Sequence, residues 1–428
     1  MEIPTRSRNI VFIKNKLYVC KRTSRAMEKT ATAGNRGDNI RSDCYVRITL
    51  QNTGGINVHL ESKVAAIFGE QIKQQAGEVM TAMGVKHARV EVEDTGALPF
   101  VIAARLEAAV RKLEIPCRSW IPEMIPQNRY GTNRERFRLS RLYLPGNTPR
   151  LMLNAGIHHP DGIILDLEDS VAPDKKGEAR LLVRNALCQV DFHGAERMVR
   201  INQLPRGMDD LEDVLPHHVH VVLIPKCESG KQVRMIGERA MAILKAAGRR
   251  QELFLMPIIE SCLGVENAFE IATSSERVVA MAIGLEDFTA DLGVERSPGG
   301  SESLYARTRM VNACKAAKIQ PIDSVFSDVA DTEGLRASVL RSRSLGFEGM
   351  GCIHPGQIAV IHEGFRPAKQ EIARAEEIIR AFQEAEARGE GVIAIGSKMI
   401  DPPVVKRAFQ TLELARRLGM SKHDNSDP

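Results

Sequence analysis

The chain has 428 residues, 43% hydrophobic and 26% charged, with a net charge of +5 at pH 7; this suits a globular protein with two or three cored domains. Aromatic residues make up only 4%, with a single tryptophan, Trp120, which argues against a base-stacking nucleic-acid surface, and no run reaches the roughly 18 apolar residues of a membrane span. The eight cysteines, Cys20, Cys44, Cys117, Cys188, Cys227, Cys262, Cys314 and Cys352, include no C-x-x-C pair, so we expect reduced thiols in a cytoplasmic protein, not a disulfide scaffold or zinc site.

Residues 1–26 carry Arg6, Arg8, Lys14, Lys16, Lys21, Arg22 and Arg25 against Glu2 alone. The apolar stretch Ile10–Ile13 is too short for a signal-peptide core, and Met27 is a second plausible start. Residues 1–42 therefore read as a basic, disordered extension. Residues 43–113 read as a small α+β domain. Strands are predicted at Cys44–Leu50, Ile56–Leu60 and His87–Glu93, with Gly54-Gly55 as the first turn. Helices are predicted at Lys63–Met83, capped by Ser62, and at Ala97–Leu113. Residues 114–138, with Pro116, Pro122 and Pro126, read as a linker.

From residue 139 short apolar runs alternate with helical stretches. Eight strands are predicted: Ser140–Leu144, Gly162–Leu167, Arg197–Asn202, His220–Pro225, Leu253–Ile259, Val278–Gly284, Gln320–Val325 and Gly349–Ile353. Runs such as GIILDL and VVLIP do not alternate, as expected of strands buried on both faces. Eight such units within 139–365 imply an α/β fold of the (β/α)8 TIM-barrel type. An open doubly wound sheet is the alternative, but G-x-G-x-x-G after the first strand is absent. Residues 366–428 read as a C-terminal helical segment, Lys369–Gly389 and Asp401–Leu418, with a disordered HDNSDP end.

Barrel active sites lie where strands end. The residues following the eight runs are Asn147; Asp166, Glu168 and Asp169; Arg200 and Asn202; Lys226 and Glu228; Glu260; Glu286 and Asp287; Asp323; and His354. Carboxylates concentrated in a barrel mouth are costly unless paired or metal-bound. Glu260 and Asp287, from neighbouring strands, are suited to a hard cation such as Mg2+, which takes oxygen ligands and keeps positions for substrate and water. Arg200 is suited to gripping a substrate carboxylate. Plainer readings stand beside these. One of Glu168, Asp169 and Ser170 caps the next helix, Glu286 caps or pairs with a lysine, and Lys226 serves either the site or an ion pair. His217, His218 and His220 precede strand four, on the opposite face, and read as structural. Asp401 before Pro402-Pro403 has the pattern of a helix cap.

The ordered set RSRLYLPGN, GIILDLEDSVAPDKK, RMVRIN, VLIPKCES, MPIIES, IGLEDF, CIHPGQI and MIDPPVVKRA resembles the citrate lyase beta subunit of the HpcH/HpaI aldolase superfamily, over residues 139 to about 420. The domain ending in EDTGALPFVIAARLEAAVRK resembles the gamma subunit, an acyl carrier protein, so the chain resembles a carrier–lyase fusion. The resemblance implies a Mg2+ barrel that splits a citryl thioester into oxaloacetate and an acetyl thioester. It implies Glu260 and Asp287 as metal ligands, and Arg141, Arg200, Asn147 and Lys226 as substrate contacts. It places Asp166 and Glu168 near metal and substrate, and makes Asp401 a proton-handling residue borrowed by a neighbouring subunit. A homo-oligomer, trimer or hexamer, follows by analogy, with a citrate lyase alpha subunit as a further partner; no nucleic-acid or membrane partner is expected. The gamma subunit carries phosphoribosyl-dephospho-coenzyme A on a serine two residues before an aspartate; here Ser42 directly precedes Asp43, so attachment at Ser42 and an ordinary turn serine both remain open. The rival functions are a malyl-CoA or methylmalyl-CoA lyase or thioesterase on the same barrel, and a non-catalytic carrier or scaffold.

Overall fold

The computed structural model describes residues 29–387, 393–395 and 398–420; the basic segment 1–28 and the HDNSDP end lie outside them. The small domain is a four-stranded sheet with two helices. Its strands are β1 (Thr30–Gly34), β2 (Cys44–Leu50), β3 (Ile56–Ser62) and β4 (Ala88–Asp94), in the order β1-β2-β4-β3. Helices α1 (Ala65–Ala82) and α2 (Pro99–Lys112) cover one face. Val46, Ile48, Val90 and Val92 are buried beneath Ile72, Val79, Ile102 and Leu106. Strand β1 corrects the expectation that everything before residue 43 is extension. It pairs antiparallel with all of Tyr45–Thr49, and TATAG has too few large apolar residues to announce a strand. Helix α1 begins at Ala65, and the Ser62 hydroxyl bridges the Val64 N–H (3.1 Å) and the Asp94 carboxylate (2.6 Å) instead of capping the helix proper.

The segment 114–138 is not a loose linker. Asn128 donates to the carbonyls of Leu187 and Val190, Tyr130 Oη to that of Ala195 (2.6 Å), and Thr132 Oγ1 to Glu196 (2.5 Å). These bonds strap it across the N-terminal end of the barrel. Arg138 seals the same end through a two-pronged pair with Glu196, both buried.

The barrel follows: β5 (Ser140–Pro145), α3 (Pro149–Met152), β6 (Gly162–Asp166), α4 (Lys176–Gln189), β7 (Glu196–Arg200), α5 (Arg206–Val214), β8 (Val221–Ile224), α6 (Gly230–Ala246), β9 (Phe254–Ile259), α7 (Cys262–Glu266), α8 (Ala268–Ala272), β10 (Ala280–Ile283), α9 (Leu285–Leu292), α10 (Leu304–Ala317), β11 (Gln320–Asp323), α11 (Thr332–Leu345), β12 (Gly349–Cys352) and α12 (Gly356–Phe365). All eight strands pair in parallel, and β12 closes on β5. This is the TIM barrel that the alternating runs predict. Inward residues such as Ile164, Met198, Leu223, Met256 and Ile322 fill the interior, while a larger layer packs between strands and helices. Helix α4 starts later than the sequence suggests, at Lys176, so none of Glu168, Asp169 and Ser170 caps it.

Beyond the barrel, α13 (Lys369–Ala387), the hairpin β13 (Ile393–Ile395) and β14 (Lys398–Ile400), and α14 (Pro402–Arg417) complete the described chain. Ile378, Ile379, Ile400, Val405 and Ala408 form a small core of their own. No helix among the described residues is long and apolar enough to cross a membrane.

Candidate active site at the C-terminal mouth of the barrel

Strand polarity puts the ends of β5–β12 around one opening, and a cavity of about 780 Å³ lies there. Its wall includes Arg141, Tyr143, Asp166, Arg200, Glu260, Asp287 and His354. Asp166, at the end of β6, accepts two hydrogen bonds from Arg200, at the end of β7: Nε to Oδ1 at 2.6 Å and Nη2 to Oδ2 at 2.8 Å. The Glu168 and Ser170 amides and the Ser170 hydroxyl also donate to Asp166. Burial pulls the Asp166 carboxyl up, but the Arg200 bonds outweigh it and hold it below the usual range. Arg200 also has Glu168 at 3.0 Å and Asp169 at 3.3 Å, so its charge is already matched by three carboxylates. Glu168 Oε2 meets Arg200 without hydrogen-bond alignment and has no other partner; burial raises this carboxyl against the pull of Arg200.

Glu260 ends β9 and is 5% exposed. Its Oε2 accepts the Lys226 amide at 2.8 Å. Burial pushes its carboxyl up to about 7, against that bond and Arg200. Gly284 makes room for it, since a Cβ there would lie 2.6 Å from Glu260 Oε1. Asp287 stands in the first turn of α9, and Lys226 Nζ reaches it at 3.0 Å. Glu286 pairs instead with Arg296. Lys226 thus takes the ion-pair reading, on backbone held at φ 45°.

Among the described residues no group of three or more metal-ligating side chains gathers. A cation at this mouth would rest on two carboxylates plus substrate and water. That donor set fits Mg2+, which keeps several waters and favours oxygen. The fit is reinforced by Glu260, a buried carboxylate facing the cavity with no cationic side chain bonded to it.

Glu168 and Lys226 are not on the cavity wall and meet it only through Arg200 and Asp287; three further predicted residues fall elsewhere. Asn147 follows β5, but its Oδ1 accepts Arg105 Nη1 of the small domain at 2.7 Å, and it does not line the cavity. It belongs to the domain seam, because the small domain packs against this rim. Asp401 caps α14 by accepting the Val404 amide at 3.1 Å, and it is not on its own chain's cavity wall. Ser42 sits at φ 56°, uncommon for a residue with a side chain, with its amide bonded to the Thr95 carbonyl. The next residue, Asp43, receives Arg105 in a two-pronged pair (2.9 Å each), and Asn35 joins Asp43 to the Asn147 carbonyl. Asp43, next to Ser42, is thereby tied to Asn147 at the domain seam. The three histidines lie at the far end of the barrel. His220 accepts the Arg197 amide, and burial holds its ring down at about 3.

Sequence reading missed Tyr143 and Arg150. Tyr143 shares the inner face of β5 with Arg141, two positions away, and that alternation was the available signal. Arg150 stands exposed on α3 at the outer rim.

The HpcH/HpaI aldolase/citrate lyase model matches residues 139–355. The chain belongs to that family. Residues 28–113 match the model of the malonate decarboxylase delta subunit (MdcD), an acyl-carrier type. The chain is 38% identical over 286 residues to the citrate lyase subunit beta of Leuconostoc mesenteroides subsp. cremoris, covering 66% of this chain and 95% of that one. It is 33% identical to the mitochondrial citramalyl-CoA lyase of Homo sapiens, covering 73% and 96%. A crystal structure of the Mycobacterium tuberculosis protein CitE, with magnesium, acetoacetate and coenzyme A, matches at TM-score 0.55 and 29% identity, over 66% of this chain and all of that one. The protein is a carbon–carbon lyase with an acyl-carrier-like domain at its N-terminal side.

Proposed function

We propose that this lyase cleaves a citryl thioester into oxaloacetate and an acetyl thioester, with Mg2+ at Glu260 and Asp287. The observation that carries the reading is Glu260, buried in the mouth beside Asp287 and lacking a cation of its own. Bound there, Mg2+ supplies Lewis-acid chemistry for an α-hydroxy carboxylate. Lys226 must release Asp287 for this, and it is then free to meet a substrate oxygen. Asp166 and Glu168 fix the guanidinium of Arg200 in one orientation, so it presents its remaining edge to the thioester carbonyl where negative charge develops. Cleavage breaks the bond between the carbinol carbon and the acetyl methylene. The carbinol hydroxyl gives its proton to water or to a carboxylate at the end of β6, the electron pair of the broken carbon–carbon bond passes to the acetyl fragment as an enolate, and that enolate takes a proton at carbon.

Asp401 is the proposed donor of that proton. Its place at the start of α14, off its own chain's cavity, would have it act in the mouth of a neighbouring copy, so a homo-oligomer goes with this role. A carboxylate has two oxygens, so capping α14 and transferring a proton are compatible. The bonds that tie Asp43, next to Ser42, to Asn147 just after β5 support a carrier role in cis, with the acyl group delivered from phosphoribosyl-dephospho-coenzyme A on Ser42. An alpha-type subunit would then load the carrier.

A second reading, cleavage or hydrolysis of a smaller acyl-CoA, is favoured by one observation: the chain is 33% identical over 328 residues to a citramalyl-CoA lyase, against 37–39% to citrate lyase beta subunits. The test is a panel of citryl-, citramalyl- and malyl-CoA with full-length protein and Mg2+, together with intact mass spectrometry of the native chain. The proposal expects citryl-CoA to turn over fastest and any adduct to map to Ser42. Consumption of malyl-CoA with citryl-CoA untouched would overturn it.

A further inference from the structure

Five arginines are among the largest fully buried side chains: Arg105, Arg138, Arg141, Arg184 and Arg197. Arg105, Arg138 and Arg184 each grip a carboxylate. Arg197 donates to the carbonyls of His218 and Tyr130 and lies over the Tyr130 ring. Arg141 alone meets no oxygen among the described residues. Its Nη1 reaches only the Met256 sulfur, at 2.9 Å, and its Nε has no partner. It is 1% exposed and lines the cavity. The other arginines on that wall are Arg200, matched by three acids, and Arg150, exposed at the rim.

The fold makes room for this arginine. In the barrel register Arg141 stands between Gly162 of β6 and Gly351 of β12. A Cβ at Gly162 would lie 2.6 Å from Met198 Cε and 3.5 Å from Arg141 Cγ. A Cβ at Gly351 would lie 3.1 Å from the Tyr143 ring. Two glycines therefore clear the barrel interior around Arg141 and Tyr143, where the neighbours are methionines and aliphatic chains. Arg197 offsets the lack of a counter-ion with two carbonyls and a ring, but Arg141 has neither, which is strongly unfavourable for a buried guanidinium; the cavity it lines is where an oxygen partner can reach it.

We infer that Arg141 is a specificity-determining residue that binds a second carboxylate, the one borne by the substituent on the substrate's carbinol carbon. This deepens the lyase reading and rests on it. The candidate thioesters differ at that one substituent: carboxymethyl in citryl, methyl in citramalyl, hydrogen in malyl. A methyl or hydrogen would leave Arg141 unmatched, whereas a carboxymethyl group supplies its missing partner and yields a dicarboxylic 2-oxo acid. A buried polar group left unpaired by the wrong ligand is the kind of contact that discriminates most strongly.

The test is calorimetric binding of oxaloacetate and of pyruvate, in Mg2+, to the full chain and to its Arg141→Met and Arg141→Lys variants. Methionine matches the surroundings, so Arg141→Met should melt no lower than the parent. Its Kd for oxaloacetate should rise about 100-fold, with pyruvate within about threefold, and Arg141→Lys should fall between. An equal loss of both acids, or an unchanged Kd for oxaloacetate, would overturn the assignment. If the parent cleaves no citryl thioester while the Arg141-dependent preference for oxaloacetate persists, the lyase reading falls and the carboxylate site stands.

Discussion

Two of the places where the described chain buries charge are built oppositely. At the seam between the small domain and the barrel, Arg105 meets Asp43 and Asn147, Arg184 meets Glu107 at 2.6 Å, and Glu178 takes Lys112, Lys175 and the Gly34 amide. Within the mouth, at comparable burial, Arg141 has a thioether for company and Glu260 a single backbone amide. Buried pairs offset their desolvation by mutual contact; buried single charges do not. The seam is therefore a finished structure, and the mouth becomes finished only when ligands bring the missing charges.

Removing one charge from each place should separate the two roles. Glu260→Ala should lower turnover by about 10³-fold or more and abolish Mg2+ binding, with no loss of melting temperature, measured by calorimetry and steady-state assay. Arg105→Met should do the reverse. Stranding Asp43 at the seam should cost about 3–5 kcal/mol, split the thermal transition in two, and open residues 114–138 to protease. Asp401→Asn should keep the cap, since asparagine caps as well as aspartate, but slow turnover by about 10²–10³-fold. Mixing that variant with Glu260→Ala should restore part of the activity, because a mixed oligomer can assemble one intact mouth; no recovery would contradict a shared site.

The smallest effect is on pH. The folded carboxyl of Glu260 is raised to about 7 from an ordinary 4.5. A raised acid contributes stability below its unfolded value and loses it as pH rises through the folded value. Metal-free protein should thus lose up to about 3 kcal/mol between pH 4.5 and 7 from this group, and Mg2+ at pH 8 should restore the melt. Glu260→Gln should flatten the profile.

Much of the barrel was legible because its strands are short apolar runs whose ends carry charge, and eight of them recur in register with helical spacers. The mouth residues were legible for the same reason: Asp166 and Arg200 end their strands, Glu260 follows one directly, and Asp287 stands in the first turn after one. What was not legible depends on contacts between distant segments. Strand β1 exists because β2 offers it an edge, not because TATAG demands a strand. Asn147 sits at a strand end like the others, yet Arg105, 42 residues earlier, claims it. The isolation of Arg141 is also invisible in sequence, since it follows from which groups fail to reach it. Gly162 and Gly351 gave a signal only once the register placed them on either side.

The most direct measurement is the product balance from citryl-CoA with the full-length protein, in Mg2+ and in chelator. Oxaloacetate and acetyl-CoA should appear in equal amounts, in Mg2+ alone, and neither from Glu260→Ala. Citrate with free coenzyme A, or cleavage that persists in chelator, would contradict this.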